Sequence, residues 1–157
     1  MSPRADSHGQ AMNRPTNNPL RCLLFPVDGL VEPLEIDPTD VLRGLYRAMR
    51  CSFVDVVALD VGVDLWCDDE ALLKRPVQPN RAWLLRRCTE AHAQPLFGNV
   101  VALGSTDGVS RSLTVDEADL VLSRIIGVNI DIAAMGDRRP PREALERWLV
   151  DGVDWRN

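Results

Sequence analysis

Val100-Val101-Ala102-Leu103 is the stretch that most restricts how this chain can fold. A short run that is apolar at every position, with no alternation, reads as a strand hidden on both faces, so structure must lie above and below it. Gly98 and Asn99 lead into the run, and Ser105-Thr106-Asp107-Gly108 is a turn cluster that ends it. Upstream, Pro79-Asn80-Arg81 reads as a helix start, because Pro79 interrupts what precedes it and Asn80 is a favoured N-cap whose side-chain oxygen accepts a backbone N–H one turn on. Leu84, Cys88 and Ala91 recur at i, i+4 and i+7, Trp83 widens that apolar face, and Arg86, Arg87 and Glu90 are left outside. The spacing predicts a helix from Arg81 to His92, ended by Gln94-Pro95.

The flanking segments supply the layers. Leu20 to Val27 is a second strand apolar on both faces, and Asp28-Gly29 is a strong hairpin signal. The return strand, Leu30 to Ile36, carries Pro33, which cannot donate to a ladder and so belongs at a sheet edge. Asp37-Pro38-Thr39-Asp40 reads as a helix start capped by Asp37, followed by a stripe of Leu42, Leu45, Tyr46 and Met49 with Arg43, Arg47 and Arg50 outside. Phe53 to Leu59 and Val63 to Cys67 form a second hairpin, broken at Asp60-Val61-Gly62, and Ala71 to Gln78 is a short helical turn or loop. Thr114 with Glu117 is a capping box opening a helix that buries Ala118, Val121, Leu122 and Ile125, with Gly127 as its left-handed C-cap. Val128 to Ile132 alternates like a last strand or an extended arm, and Pro141 to Val150 is a small amphipathic helix carrying Leu145, Trp148 and Leu149 and ended by Gly152.

These elements predict a mixed α+β fold: a mostly antiparallel sheet of four or five strands with three or four packed helices. Residues 1–18, rich in turn formers, read as a disordered tail, residues 19–127 as the α+β domain, and residues 128–157 as a C-terminal arm and short helix. That last helix either packs on its own domain or reaches a partner, with Trp148 as its anchor.

At 157 residues the chain has the length of one domain, and its net charge of -5 argues against a general nucleic-acid coat, which needs clustered cations, while leaving room for local basic patches. Lys74 is the single lysine among 18 basic residues, a GC-rich coding bias that suits an actinobacterial or phage genome. With no apolar h-region at the start, a cytoplasmic location is expected. Cys22, Cys51, Cys67 and Cys88 then stay reduced, and no pair has the spacing of a zinc knuckle, so neither a metal nor a cofactor is expected.

Catalytic patterns are weak. Asp60, Asp64, Asp68, Asp69 and Glu70 are clustered carboxylates, but their spacing fits no calcium loop or metal-nuclease end, and a solvated strand end explains them. Gly104-Ser105-Thr106-Asp107-Gly108 has threonine where a nucleophile elbow needs serine, and His92 is the one histidine in the ordered part. Arg81 is the local anomaly. At a helix start a cation is opposed by the dipole, so it calls for a negative partner, either Asp68, Asp69 or Glu70, or a bound anion held by Arg81 and Asn80.

Asp28 and Gly29, Glu35 and Ile36, Pro79-Asn80-Arg81, Gly98-Asn99-Val100-Val101, and Leu113-Thr114 with Glu117 together resemble an uncharacterised family, a domain of unknown function in small proteins of actinobacteria, other bacteria, plasmids and phages. The resemblance covers residues 20–126 and leaves out the C-terminal segment. It implies no catalytic residue. The expected role is a non-enzymatic accessory protein that binds a host or element-encoded protein. The alternatives are a nucleic-acid-associated module using Arg81, Arg86, Arg87 and the Arg138 to Arg142 segment, and an anion-binding or hydrolytic enzyme. The candidate binding residues are Asn80, Arg81, Arg86, Arg87 and Trp148.

Overall fold

The structure, a computed structural model, describes residues 18–157 apart from Val61, Cys88, Thr89, Asp137 and the side chain of Arg87. The N-terminal tail, but for Asn18, thus lies outside the described residues, as does Cys88.

The apolar run is β7 (Val100–Thr106), and Val100 to Leu103 are fully buried. It sits inside a larger antiparallel sheet, between β1 (Leu20–Phe25) and β4 (Val63–Asp68). β2 (Glu32–Ile36) and β3 (Val54–Asp60) form the edges, and β8 (Val109–Arg111) returns on β7. Pro33 lies on an edge strand, as expected of a residue without an N–H. α1 (Val41–Met49) packs on one face of the sheet, against β2, β4 and β7. On the other face Phe25 meets Trp83 of a second sheet edge to face, ring centroids 5.3 Å apart and planes at 90°. Both layers that β7 demands are therefore present.

α1 begins later than the sequence suggests. Asp37 does not cap it; its carboxylate accepts the Thr39 N–H and hydroxyl in a local turn, and Asp40 caps the helix by accepting the Arg43 N–H. Gly44 is a packing requirement. A Cβ there would come 2.8 Å from Ile36 Cγ2, so only glycine lets α1 lie this close to β2.

The predicted helix over Arg81 to His92 is a β-hairpin. β5 (Pro79–Arg87) and β6 (Glu90–Phe97) pair antiparallel, with Leu85 opposite His92 and Arg86 opposite Ala91. The physical reason is the inward face: Arg81, Trp83 and Leu85 are all buried, while Arg86 is exposed. With an arginine on the apolar side the alternation of a strand is disguised, and the residues left over imitate helical spacing. Pro95 is tolerated because β6 is an edge strand.

β9 (Ile125–Val128) pairs with the other side of β5, completing the three-stranded sheet β6-β5-β9. The capping-box helix, α2 (Val115–Ser123), accordingly ends earlier than predicted, and Gly127 is a strand residue opposite Ala82 rather than a C-cap. Where an arm or strand was expected, α3 (Ile130–Ala134) forms, capped by Asn129. The described residues thus hold two sheets instead of the single sheet of four or five strands. The fold is α+β, mostly antiparallel, with four α-helices among the described residues. No helix among them is long and apolar enough to cross a membrane.

α4 (Arg142–Asp151) packs on the domain. Leu145, Trp148 and Leu149 are buried, and Trp148 Nε1 donates to the Cys22 carbonyl of β1 at 3.1 Å. Gly152 ends the helix in the left-handed region, φ 73°. Truncating Trp148 to alanine is expected to lower the unfolding free energy by about 3–5 kcal/mol, read from urea denaturation. A loss below about 1 kcal/mol would show that α4 contributes little to the folded state.

Candidate functional site

The turn joining β1 to β2 is tied down by side chains from three other segments. Asn80 Nδ2 donates to the carbonyls of Phe25 at 2.7 Å and Gly98 at 2.8 Å. Arg81 Nη1 donates to Asn80 Oδ1 and to the Pro26 carbonyl, and Nη2 reaches the Gly29 carbonyl at 3.4 Å. The guanidinium also lies over the Phe25 ring, 5.2 Å from its centroid, a favourable place for a cation. Asn99 Oδ1 accepts the Val27 N–H, and Asn129 Nδ2 donates to the carbonyls of Val27 and Pro79. A loop of short-range hydrogen bonds cannot satisfy its own interior backbone, so these amides and the guanidinium do so.

Beside this turn opens a cleft of about 250 Å³, lined by Asp28, Glu32, Arg50, Asp68, Lys74 and Asn99 among others. Asp68 is buried and already engaged: its carboxylate meets Lys74 Nζ at 2.5 Å and accepts the Glu70 N–H at 2.9 Å. Arg50 caps α1 in the left-handed conformation, φ 54° and ψ 50°, which a side chain with a Cβ adopts at some cost. The cleft therefore carries charges of both signs, and its deepest carboxylate is neutralised.

Among the described residues, no cysteine is activated as a nucleophile for it. Burial, and next the Asp68 carboxylate, raise the Cys51 thiol above its ordinary value. Cys67 is pushed up to about 11, by burial and then by Asp55, and burial raises Cys22 further still. Such thiols stay protonated near neutrality. His92 lies exposed on β6 and does not line the cleft. Of the other carboxylates, Asp60 pairs with Arg124 at 3.0 Å, and no group of three or more His, Cys, Asp or Glu among the described residues is placed to hold a metal ion.

Of the five residues singled out from the sequence, the fold bonds Arg81 to Asn80 and places Trp148 on a different element. Since Arg81 sits in a strand, the helix terminus that motivated an anion site is absent, and Asp68 pairs with Lys74. Arg86 is exposed towards the end of β5, Arg87 is the last residue of that strand, and Trp148 is buried under α4. Arg142 is held by Asp116 at 2.6 Å and by Asp119, and Arg81 is buried, so these two arginines are engaged within the protein.

A second concavity escaped the sequence reading. Between β3 and β6 runs a groove of about 270 Å³, lined by Asp55, Val57, Leu72, Gln94, Pro95 and Leu96 among others. Leu72, which lines it, is 59% exposed, its chain neighbour Leu73 74%, and Phe53, just before β3, 57%. Phe53 is tied to this place because its carbonyl accepts the Asp69 N–H. The available signal was Leu72-Leu73 standing in a loop, Asp68 to Arg75, whose other residues are charged except Ala71.

Two measurements probe the architecture. Asn80→Ala removes the donor to two interior carbonyls and is expected to lower stability by about 2–4 kcal/mol, against about 1 kcal/mol for a helix cap. Glu117 makes a two-pronged ion pair with Arg111, both contacts at 2.8 Å, while completing the capping box with Thr114. Chiefly through Arg111, its folded-state pKa lies below the ordinary glutamate value. Its contribution is therefore full above the unfolded-state pKa and lost as pH falls through the lowered folded-state value. Glu117→Gln is expected to cost about 1 kcal/mol at pH 7, with the gap to wild type closing on acidification. A gap that persists below the folded-state pKa would assign it to packing.

No curated protein matches the chain, and no solved structure matches it. The sequence model of the family described as domain of unknown function DUF3846 matches residues 20–126, a span holding the clamped turn, the cleft and the groove but not α4. The chain belongs to the DUF3846 family of domains of unknown function.

Proposed function

We propose that this protein is a non-enzymatic binding protein that takes an extended segment of another protein into the groove between β3 and β6. The observation that carries the reading is the exposure of Leu72, which lines that groove, of its chain neighbour Leu73, and of Phe53, just before β3. Large apolar side chains left in water together gain about 1.5–3 kcal/mol each when fully covered. β3 has a free edge, and its register with β4 is regular from Val54 to Ala58, which suits addition of a partner strand. Asp55 and Asp69 at the rim favour basic residues in that segment. The partner is a protein of the host, or of the mobile element that carries the gene, met in the cytoplasm.

The alternatives have less support. The engagement of Arg81 and Arg142 within the protein weakens a nucleic-acid reading, and protonated thiols with neutralised carboxylates weaken a hydrolytic one. Display of random linear peptides against the full-length protein tests the proposal. Enriched peptides are expected to mix apolar and basic residues, and their affinity to fall about tenfold or more in the Leu72→Asp/Leu73→Asp variant, which should melt near wild type. No enrichment, or equal binding by that variant, would refute it.

A further inference from the structure

At the opposite edge of the larger sheet, beyond β2, lies a separate groove of about 520 Å³. Its apolar lining comes from Leu30, Val31, Pro140, Pro141 and Trp155. Three arginines line it, Arg138, Arg139 and Arg156, against one carboxylate, Glu32. Glu32 is already engaged by Arg156 at 3.4 Å, and Arg156 is further held by Asp154 at 2.8 Å. Arg138 and Arg139 are exposed and have no carboxylate partner among the described residues. On a chain of net charge -5, a concavity lined this way is locally positive.

Trp155 distinguishes the place further. Trp83 Nε1 donates to the Val121 carbonyl and Trp148 Nε1 to that of Cys22, so those two indoles are committed to the interior. Trp155 is half-buried against the core, and its ring lines the groove instead of filling the interior. Its ring also lines a neighbouring groove of about 360 Å³ with Pro141, Val153 and Arg147. An apolar concavity of this size with a few cationic side chains along it has the make-up of a small-molecule site.

We infer that the Trp155 groove binds a small amphipathic carboxylate, an aromatic or branched apolar body carrying one anionic group. The body covers Leu30, Val31 and Trp155, and the carboxylate is met by Arg138 or Arg139 through a two-pronged, charge-assisted pair. A neutral analogue keeps the apolar contact and loses the charged one.

The experiment uses the full-length protein, 2-naphthoate as the probe and 2-naphthalenemethanol as its neutral control, followed at the Trp155 indole N–H in NMR. Naphthoate is expected to shift that signal saturably and to bind about tenfold more tightly than the alcohol. Arg138→Gln/Arg139→Gln, exposed changes that leave the fold intact, should erase the preference for the acid while keeping weak apolar binding. The inference is overturned if no saturable shift appears at millimolar naphthoate, if acid and alcohol bind alike, or if the double variant keeps the preference. A shift confined to residues near Leu72 would place the probe in the other groove and equally overturn it.

Discussion

A guanidinium carried into the interior has to be given acceptors, and here the acceptors are the carbonyls of a turn that could not satisfy itself. Arg81 and Asn80 enter from β5 and bond Phe25, Pro26, Gly29 and Gly98, so the second sheet is fastened to the β1–β2 turn by polar contacts as well as by the Phe25–Trp83 ring pair. Removing either partner of such an arrangement strands buried polar groups, which costs far more than an ordinary surface contact. The layer over β7 therefore depends on two side chains at one end of β5.

That dependence also explains what the sequence concealed. β7, β1 and the β3–β4 hairpin were legible because their patterns follow simple burial, on both faces or on one. Pro33 marked an edge, and Thr114 with Glu117 marked a helix start, since each signal is local chemistry that the tertiary structure did not override. β5 was misread because its inward positions are Arg81, Trp83 and Leu85: a cation stands where the pattern calls for an apolar residue. With β5 taken as a helix, β9 lost its pairing partner, and Gly127 looked like a helix cap. The candidate site inherited the error. Read as a helix terminus, Asn80 and Arg81 face an anion; in the structure they are donors to the chain's own backbone.

Asn80, Arg81 and Val100 to Leu103 are engaged inside the molecule, whereas the residues of the two grooves look unremarkable in sequence. Leu72 and Leu73 on one side, and Trp155 with Arg138 and Arg139 on the other, become adjacent to concavities only through the fold. The first lies within the span shared with the family and the second is built partly from the segment beyond it. The two grooves sit at opposite edges of the larger sheet, so both can be filled at once.

The fold rests on β5 being a strand whose Asn80 side chain is locked into the β1–β2 turn. NMR of the Asn80 side-chain amide tests this most directly. The predicted result is slow exchange of those protons with solvent, with NOEs to Phe25 and Gly98 and cross-strand NOEs between Leu85 and His92. Rapid exchange of the Asn80 amide, together with sequential i, i+3 NOEs from Arg81 towards His92, would contradict it.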